Sequence, residues 1–310
     1  MTSASLQVRR YQPDPEFPHD PPIRVTRPAD FGAAAAAPTA LVLSSPHSGA
    51  IYPASFQRAS KLDELTLRRS EDAFVNELYA AGPKLGAPLL EALFPRAYCD
   101  PNRSAYELDP AMFDAPLPPH VVTDSSKIGA GLGTIARVVG GGLEIYRDKL
   151  PFHEAERRVE TCWRPYHEAL QALLAEARAR HGVALLLDCH SMPSVGGSNQ
   201  PDAGQRRADM VIGDFHGASC NPRLVDRVED YLKSCGFSTT RNKPYAGGYI
   251  TQHYSRRDQG IHTLQLEINR DLYMHETKIA PAGGFARVQS AMTGLIELLI
   301  ASAVPDFLNA

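Results

Sequence analysis

Hydrophobic and polar positions follow two rhythms along this chain. Short apolar runs at residues 41–45, 87–93, 184–188, 210–213 and 262–268 are bounded by Pro, Gly, Ser or Asp, as expected of core strands. Between them, residues 71–81, 152–180 and 222–235 place apolar side chains three and four apart, and a final helical pattern runs over about 285–303. Ser70 is positioned to cap the first of these helices. Strands alternating with helices predict an α/β fold, a central sheet covered on both faces. The segment from Tyr106 to Leu150 breaks the rhythm. It is rich in Pro and Gly, the composition of a lid or binding loop.

Composition narrows the partners. A formal charge of −3 over 310 residues, with 11 His, supplies no basic field for nucleic acid, which leaves a small-molecule or protein partner. No apolar window reaches the length of a membrane span, so no membrane partner is expected. Cys99, Cys162, Cys189, Cys220 and Cys235 are odd in number and include no CxxC pair, which argues against a disulfide framework and for a cytoplasmic setting. The stretch before residue 37 is polar and proline-rich, then alanine-rich, without a signal-peptide pattern. We expect an N-terminal arm over residues 1–36 and a single domain over 37–310.

Two of the apolar runs stop at a histidine. Leu41-Val42-Leu43-Ser44-Ser45-Pro46-His47 and Leu185-Leu186-Leu187-Asp188-Cys189-His190 each deliver an imidazole to a strand's carboxyl end, where open α/β sheets bind ligands. Together they suggest a metal site, and Asp188, two residues before His190, can hold that ring's tautomer. A third ligand is needed, and no HExxH supplies it. Glu71 and Asp72 are the nearest acids, although either one also suits a helix N-terminus. Glu267 puts a carboxylate inside the apolar run ending Leu264-Gln265-Leu266-Glu267-Ile268, a costly placement unless the group is paired or used. After the second strand, Arg96, Asn102 and Arg103 sit on turn chemistry suited to gripping a carboxylate. The glycines at 129, 131 and 133 follow no strand and miss the dinucleotide spacing, and Ser48 and Ser191 lie in no GxSxG elbow.

Read in order, Ser45-Pro46-His47-Ser48-Gly49, Glu71-Asp72-Ala73-Phe74-Val75, Asp100-Pro101-Asn102-Arg103, Pro165-Tyr166-His167, Asp188-Cys189-His190-Ser191, Gly247-Gly248-Tyr249-Ile250-Thr251 and Glu267-Ile268-Asn269-Arg270-Asp271-Leu272-Tyr273 resemble the N-formylglutamate amidohydrolase family. The resemblance implies a three-layer α/β/α fold around a mixed, mostly parallel sheet, of the zinc exopeptidase type (phosphorylase/hydrolase-like). It implies one zinc ion per chain on His47, Asp72 and His190, with Glu71 as the alternative acid. Glu267 is then similar to the general base, Arg96 to an arginine that polarises the scissile carbonyl, and Asn102 and Arg103 to a pair gripping the substrate's free carboxylate. Tyr249 and Arg270 are left for the substrate's remaining polar groups. The implied reaction is N-formyl-L-glutamate and water to formate and L-glutamate, a step of histidine degradation. Another N-acyl amino acid or a peptide as substrate, and a metal-binding protein without turnover, share parts of the pattern.

Overall fold

The structure, a computed structural model, describes residue 17, residues 22–197 and residues 200–308. Seven strands make one sheet: β1 (Ile23–Thr26), β2 (Leu41–Ser45), β3 (Leu89–Ala92), β4 (Ala184–Met192), β5 (Met210–Gly213), β6 (Thr239–Arg241) and β7 (Ile261–Asn269), in the order β1-β3-β2-β4-β7-β5-β6. Strands β3, β2, β4 and β7 run parallel; β1 is antiparallel to β3, and β5, parallel to β6, is antiparallel to β7. The principal helices are α1 (Val75–Leu78), α2 (Phe152–Arg158), α3 (Arg164–His181), α4 (Pro222–Ser234), α5 (Tyr249–Tyr254) and α6 (Phe285–Ser302).

Strand alternation divides the interior into two cores. Leu41, Leu43, Leu185, Leu187, Cys189, Leu264, Leu266 and Ile268 belong to one, packed with α1, α4 and α6. Val42, Ala184 and Leu186 belong to the other, beneath α3. On this second face the side chains turn polar toward the strands' carboxyl ends. Asp188 and His190 follow Ala184 and Leu186 on β4, and Thr263, Gln265 and Glu267 occupy the equivalent positions on β7. The strand pattern read from sequence therefore holds, but β4 and β7 run past it to Met192 and Asn269, carrying polar residues that hydrophobicity alone excludes.

The expected helix over 71–81 is not formed as such. Arg68–Ser70 forms a 3-10 turn, Glu71 is extended, Phe74 sits in the left-handed region (φ 66), and within 71–81 only Val75–Leu78 is α-helical, so Ser70 caps nothing there. An aromatic residue at positive φ is a backbone outlier worth roughly 1–3 kcal/mol of local strain. The expected helix over 152–180 is interrupted by a π turn at Val159–Trp163. Pro165 follows immediately; it lacks an N–H and its ring crowds the carbonyl four residues back, which a widened turn accommodates. Much of the expected N-terminal arm lies outside the described residues, but Ile23–Thr26 joins the sheet edge by pairing with β3. Residues 106–150 surround their own apolar cluster of Leu108, Met112, Phe113, Val121, Ile135 and Leu150. No helix among the described residues is long and apolar enough to cross a membrane.

Candidate metal centre

The connections leaving β2 and β3 and the ends of β4 and β7 converge on one buried point. The turn after β2 can approach it because Gly49 has no side chain: a Cβ there would lie 2.2 Å from the Phe94 carbonyl oxygen. His47, on that turn, and His190, on β4, are 1% and 2% exposed, with ring centroids 4.8 Å apart. Asp72 stands between them. Its Oδ2 is 3.0 Å from His190 Nδ1 and 3.3 Å from His47 Nδ1, and its backbone N–H donates to the His47 carbonyl at 3.0 Å. Glu71 turns the other way, accepting from the Tyr52 hydroxyl and the Arg68 guanidinium.

Each imidazole has a second carboxylate behind it. His47 Nε2 is 2.8 Å from Asp100 Oδ1, and His190 Nε2 is 2.9 Å from Asp188 Oδ2. The second approach is close but badly angled, since Asp188 Oδ2 makes no good hydrogen bond, whereas Asp188 Oδ1 accepts from Ser44, whose hydroxyl also meets Tyr166. Both rings thus turn Nδ1 to the centre; Asp100 accepts behind His47, the arrangement that fixes tautomer and ring orientation at metal sites, while His190 Nε2 lies beside Asp188 and the Asn102 amide nitrogen. His47 Nδ1 is buried without a hydrogen-bond partner. One ligand atom from each of the three residues falls within a 4.8 Å cluster. Bonds of about 2.1 Å at tetrahedral angles put neighbouring ligand atoms about 3.4 Å apart, so these residues could hold a small cation.

Charge at the site is strongly biased. Burial alone would raise the Asp72 carboxyl, but the two imidazoles, His190 hydrogen-bonded to it and His47 close by, hold it well below its usual range. Burial is likewise overridden at Asp100, mainly by Arg96. Burial works to lower the His190 imidazole, but Asp188, Asp72 and Glu267 together raise it well above its ordinary value. Glu267 behaves oppositely. Burial pushes its carboxyl up to about 7, and Asp72 adds to the rise against His190 and two arginines. His190 and Glu267 are Cα partners on adjacent parallel strands, so the acid flanks the cluster.

The arginines and Asn102 divide differently from expectation. Arg96 donates to Asp100 Oδ2 at 2.9 Å. Arg103 donates Nε and Nη1 to the carbonyls of Leu132 and Asn102 and has no ion-pair partner among the described residues; burial and the Arg96 charge lower its pKa. Asn102, expected at a substrate carboxylate, is committed inside the protein: Oδ1 accepts from the Ile250 N–H at 2.8 Å and Nδ2 lies 3.2 Å from His190 Nε2. Arg270 is also turned inward. It donates to Asp72 Oδ1 at 3.0 Å, to Ser191 Oγ and to the Arg69 carbonyl, which orients the acid between the histidines. Tyr249 opens α5, stacked on His253 and facing His167 and Trp163. Sequence reasoning assigned no role to Asp100, Gln265 or Lys127. Asp100 was visible only as part of a motif, and Lys127 lies in the irregular segment.

The N-formylglutamate amidohydrolase family model matches residues 39–274, a span that holds every group just described. The chain is 30% identical over 245 residues to the N-formylglutamate deformylase of Pseudomonas putida, covering 77% of this chain and 83% of that one. It is 30% identical over 266 residues to the enzyme of that name from Pseudomonas aeruginosa, covering 84% and 91%. The crystal structure of N-formylglutamate amidohydrolase from Ralstonia eutropha JMP134 superposes with a TM-score of 0.82 at 35% identity, covering 92% of this chain and 99% of its own. By the extent of the matched region and the agreement along nearly the whole length of these relatives, the chain belongs to the N-formylglutamate amidohydrolase family.

Proposed function

We propose that this protein is a zinc-dependent amidohydrolase of linear amides that cleaves N-formyl-L-glutamate to formate and L-glutamate. The observation that carries the reading is the pairing of His47 and His190, each turning Nδ1 toward Asp72 with a further acid close to Nε2, while Glu267 occupies the neighbouring strand position. His47, Asp72 and His190 are the proposed ligands of one zinc ion, since two imidazoles and a carboxylate suit zinc better than magnesium. When bound, the ion supplies Lewis acidity and brings the pKa of a water from about 15.7 toward about 7.

The chain's own groups account for the rest. Glu267, held near neutrality by burial, takes a proton from the attacking water and passes it to the amide nitrogen as the C–N bond breaks. Water supplies the oxygen of formate, and the amine leaves neutral in charge. Arg96, anchored by Asp100, donates to the oxygen on which charge develops. Arg103 takes the substrate carboxylate with the guanidinium edge that no protein acid occupies. Lys127, lowered by burial and by Arg103, adds a second cation on the same side for a dianionic substrate. Tyr249 is the proposed contact for the outer end of the substrate. Residues 37–310 act as one unit with the layered architecture of zinc exopeptidases, and four buried thiols out of five suit a cytoplasmic setting.

The test combines metal analysis with a panel of N-formyl, N-acetyl and peptide substrates. Glu267→Gln is nearly isosteric and cannot accept a proton, so it should fold, keep zinc and lose about 10²–10⁴ in kcat. A zinc-loaded Glu267→Gln protein turning over N-formylglutamate normally would require a different base. A preference for acetylated or peptide substrates would keep the chemistry and change the substrate.

A further inference from the structure

Glu267 is held by a neighbour on its own strand. Gln265, two residues earlier on β7 and 3% exposed, donates from Nε2 to Glu267 Oε1 at 2.9 Å. The other end of the same amide accepts from the Gly248 backbone N–H at 2.8 Å and from the Thr251 hydroxyl at 3.4 Å. An amide oxygen engaged by a backbone N–H cannot exchange places with its nitrogen without burying two donors face to face, so the amide has one orientation. Its nitrogen must face the acid. The turn that fixes it is itself anchored, because the Ile250 N–H donates to Asn102 and the Thr263 hydroxyl donates to the Thr251 carbonyl.

Among the described residues, Glu267 Oε2 takes no hydrogen bond. The terminal torsion of a glutamate is broad and nearly two-fold, so a free carboxylate does not distinguish its oxygens. We propose that Gln265 is the positioning residue for the base: by engaging Oε1 it leaves Oε2 to receive the proton, and it makes that aim depend on the seating of the Gly248–Thr251 turn. A neutral amide does this without bringing another charge to the acid. The inference rests on Glu267 acting as base, as proposed above.

A double-mutant cycle tests it, with wild type, Gln265→Leu, Glu267→Gln and the double variant compared at matched zinc content for kcat, KM and Tm. Gln265→Leu should lower kcat by about 10–100-fold with little change in KM, the scale set by a misaimed catalytic group. In the Glu267→Gln background the same change should cost less than about twofold, because coupled groups are not additive. Gln265→Glu, which keeps an acceptor for Gly248 but presents no N–H to Glu267, should also lose kcat, and covers the case in which the leucine variant fails to fold. Equal losses in both backgrounds, or near-normal kcat in Gln265→Leu while Glu267→Gln is inactive, would overturn the positioning role alone. Normal turnover in Glu267→Gln would overturn the base assignment and this inference with it.

Discussion

His47 and His190 turn the same nitrogen to the same point, and the polar groups around them hold that alignment. Asp100 and Asp188 stand behind the rings, Arg270 holds the far oxygen of Asp72, and Asn102 bridges His190 to the Ile250 N–H. The consequence is that few groups remain free for a substrate. Arg103 is the half-buried guanidinium without an acid partner among the described residues, so Arg103→Gln should raise KM for N-formylglutamate by about tenfold or more while kcat changes little, because it removes binding common to ground and transition states. Lys127→Gln should raise KM for N-formylglutamate more than for N-formylglutamine. Steady-state kinetics on both substrates reads the difference, and equal KM values for Arg103→Gln and wild type would remove its role. At this scale the sequence announces the atoms that need chemistry but not their partners. His47, His190 and Glu267 declare themselves by interrupting apolar runs. Asn102 and Arg270 do not, because the contacts that hold them inside the protein are with residues 148 and 198 positions away.

The elements explain why these residues arrive together. Four parallel strands end at one edge, where the connections leaving β2 and β3 and the last residues of β4 and β7 supply the site. The turn entering α5 packs tightly on this frame, since a Cβ on Gly248 would lie 2.4 Å from the Asn102 side chain. Asn102 is pinned by its own contacts and cannot retreat, so Gly248→Ala should destabilise the protein by roughly 1–3 kcal/mol, the usual cost of overpacking. Gly283→Ala, where nothing lies within 4 Å of the added carbon, is the control and should leave Tm nearly unchanged. Strand existence was legible because period and punctuation agree over β2, β4, β5 and β7. The helix expected at 71–81 was not. Its apolar spacing is real, but the chain runs through an extended Glu71 and a left-handed Phe74 to bring Asp72 between the histidines, and tertiary demand overrides local preference.

Across the molecule, the second face of the sheet is secured by a neutral histidine. His167 donates from Nε2 to the Pro101 carbonyl at 2.8 Å and accepts at Nδ1 from the Tyr254 hydroxyl, joining α3 to the β3 exit and to α5. Burial depresses its pKa to about 3. A histidine whose folded pKa lies below its unfolded value of about 6.5 contributes stability above that pH, and the contribution is lost as pH falls toward 3. The stability advantage of wild type over His167→Asn should therefore shrink between pH 6 and 4.5 by about 1.4 kcal/mol per pH unit. Denaturant unfolding at matched metal content reads it, and a pH-independent difference would show that the ring titrates normally.

The pairing of His190 with Glu267 across two parallel strands has a further consequence. Their separation is set by the backbone ladder, with neighbouring strands about 4.8 Å apart, rather than by any loop. The segment from residue 94 to 150 carries Arg96, Arg103 and Lys127 but contributes no residue to that rung. With Asp100 and Asn102 kept, exchange elsewhere in that segment would alter the cations offered to a substrate without altering the spacing of the proposed ligand and the proposed base.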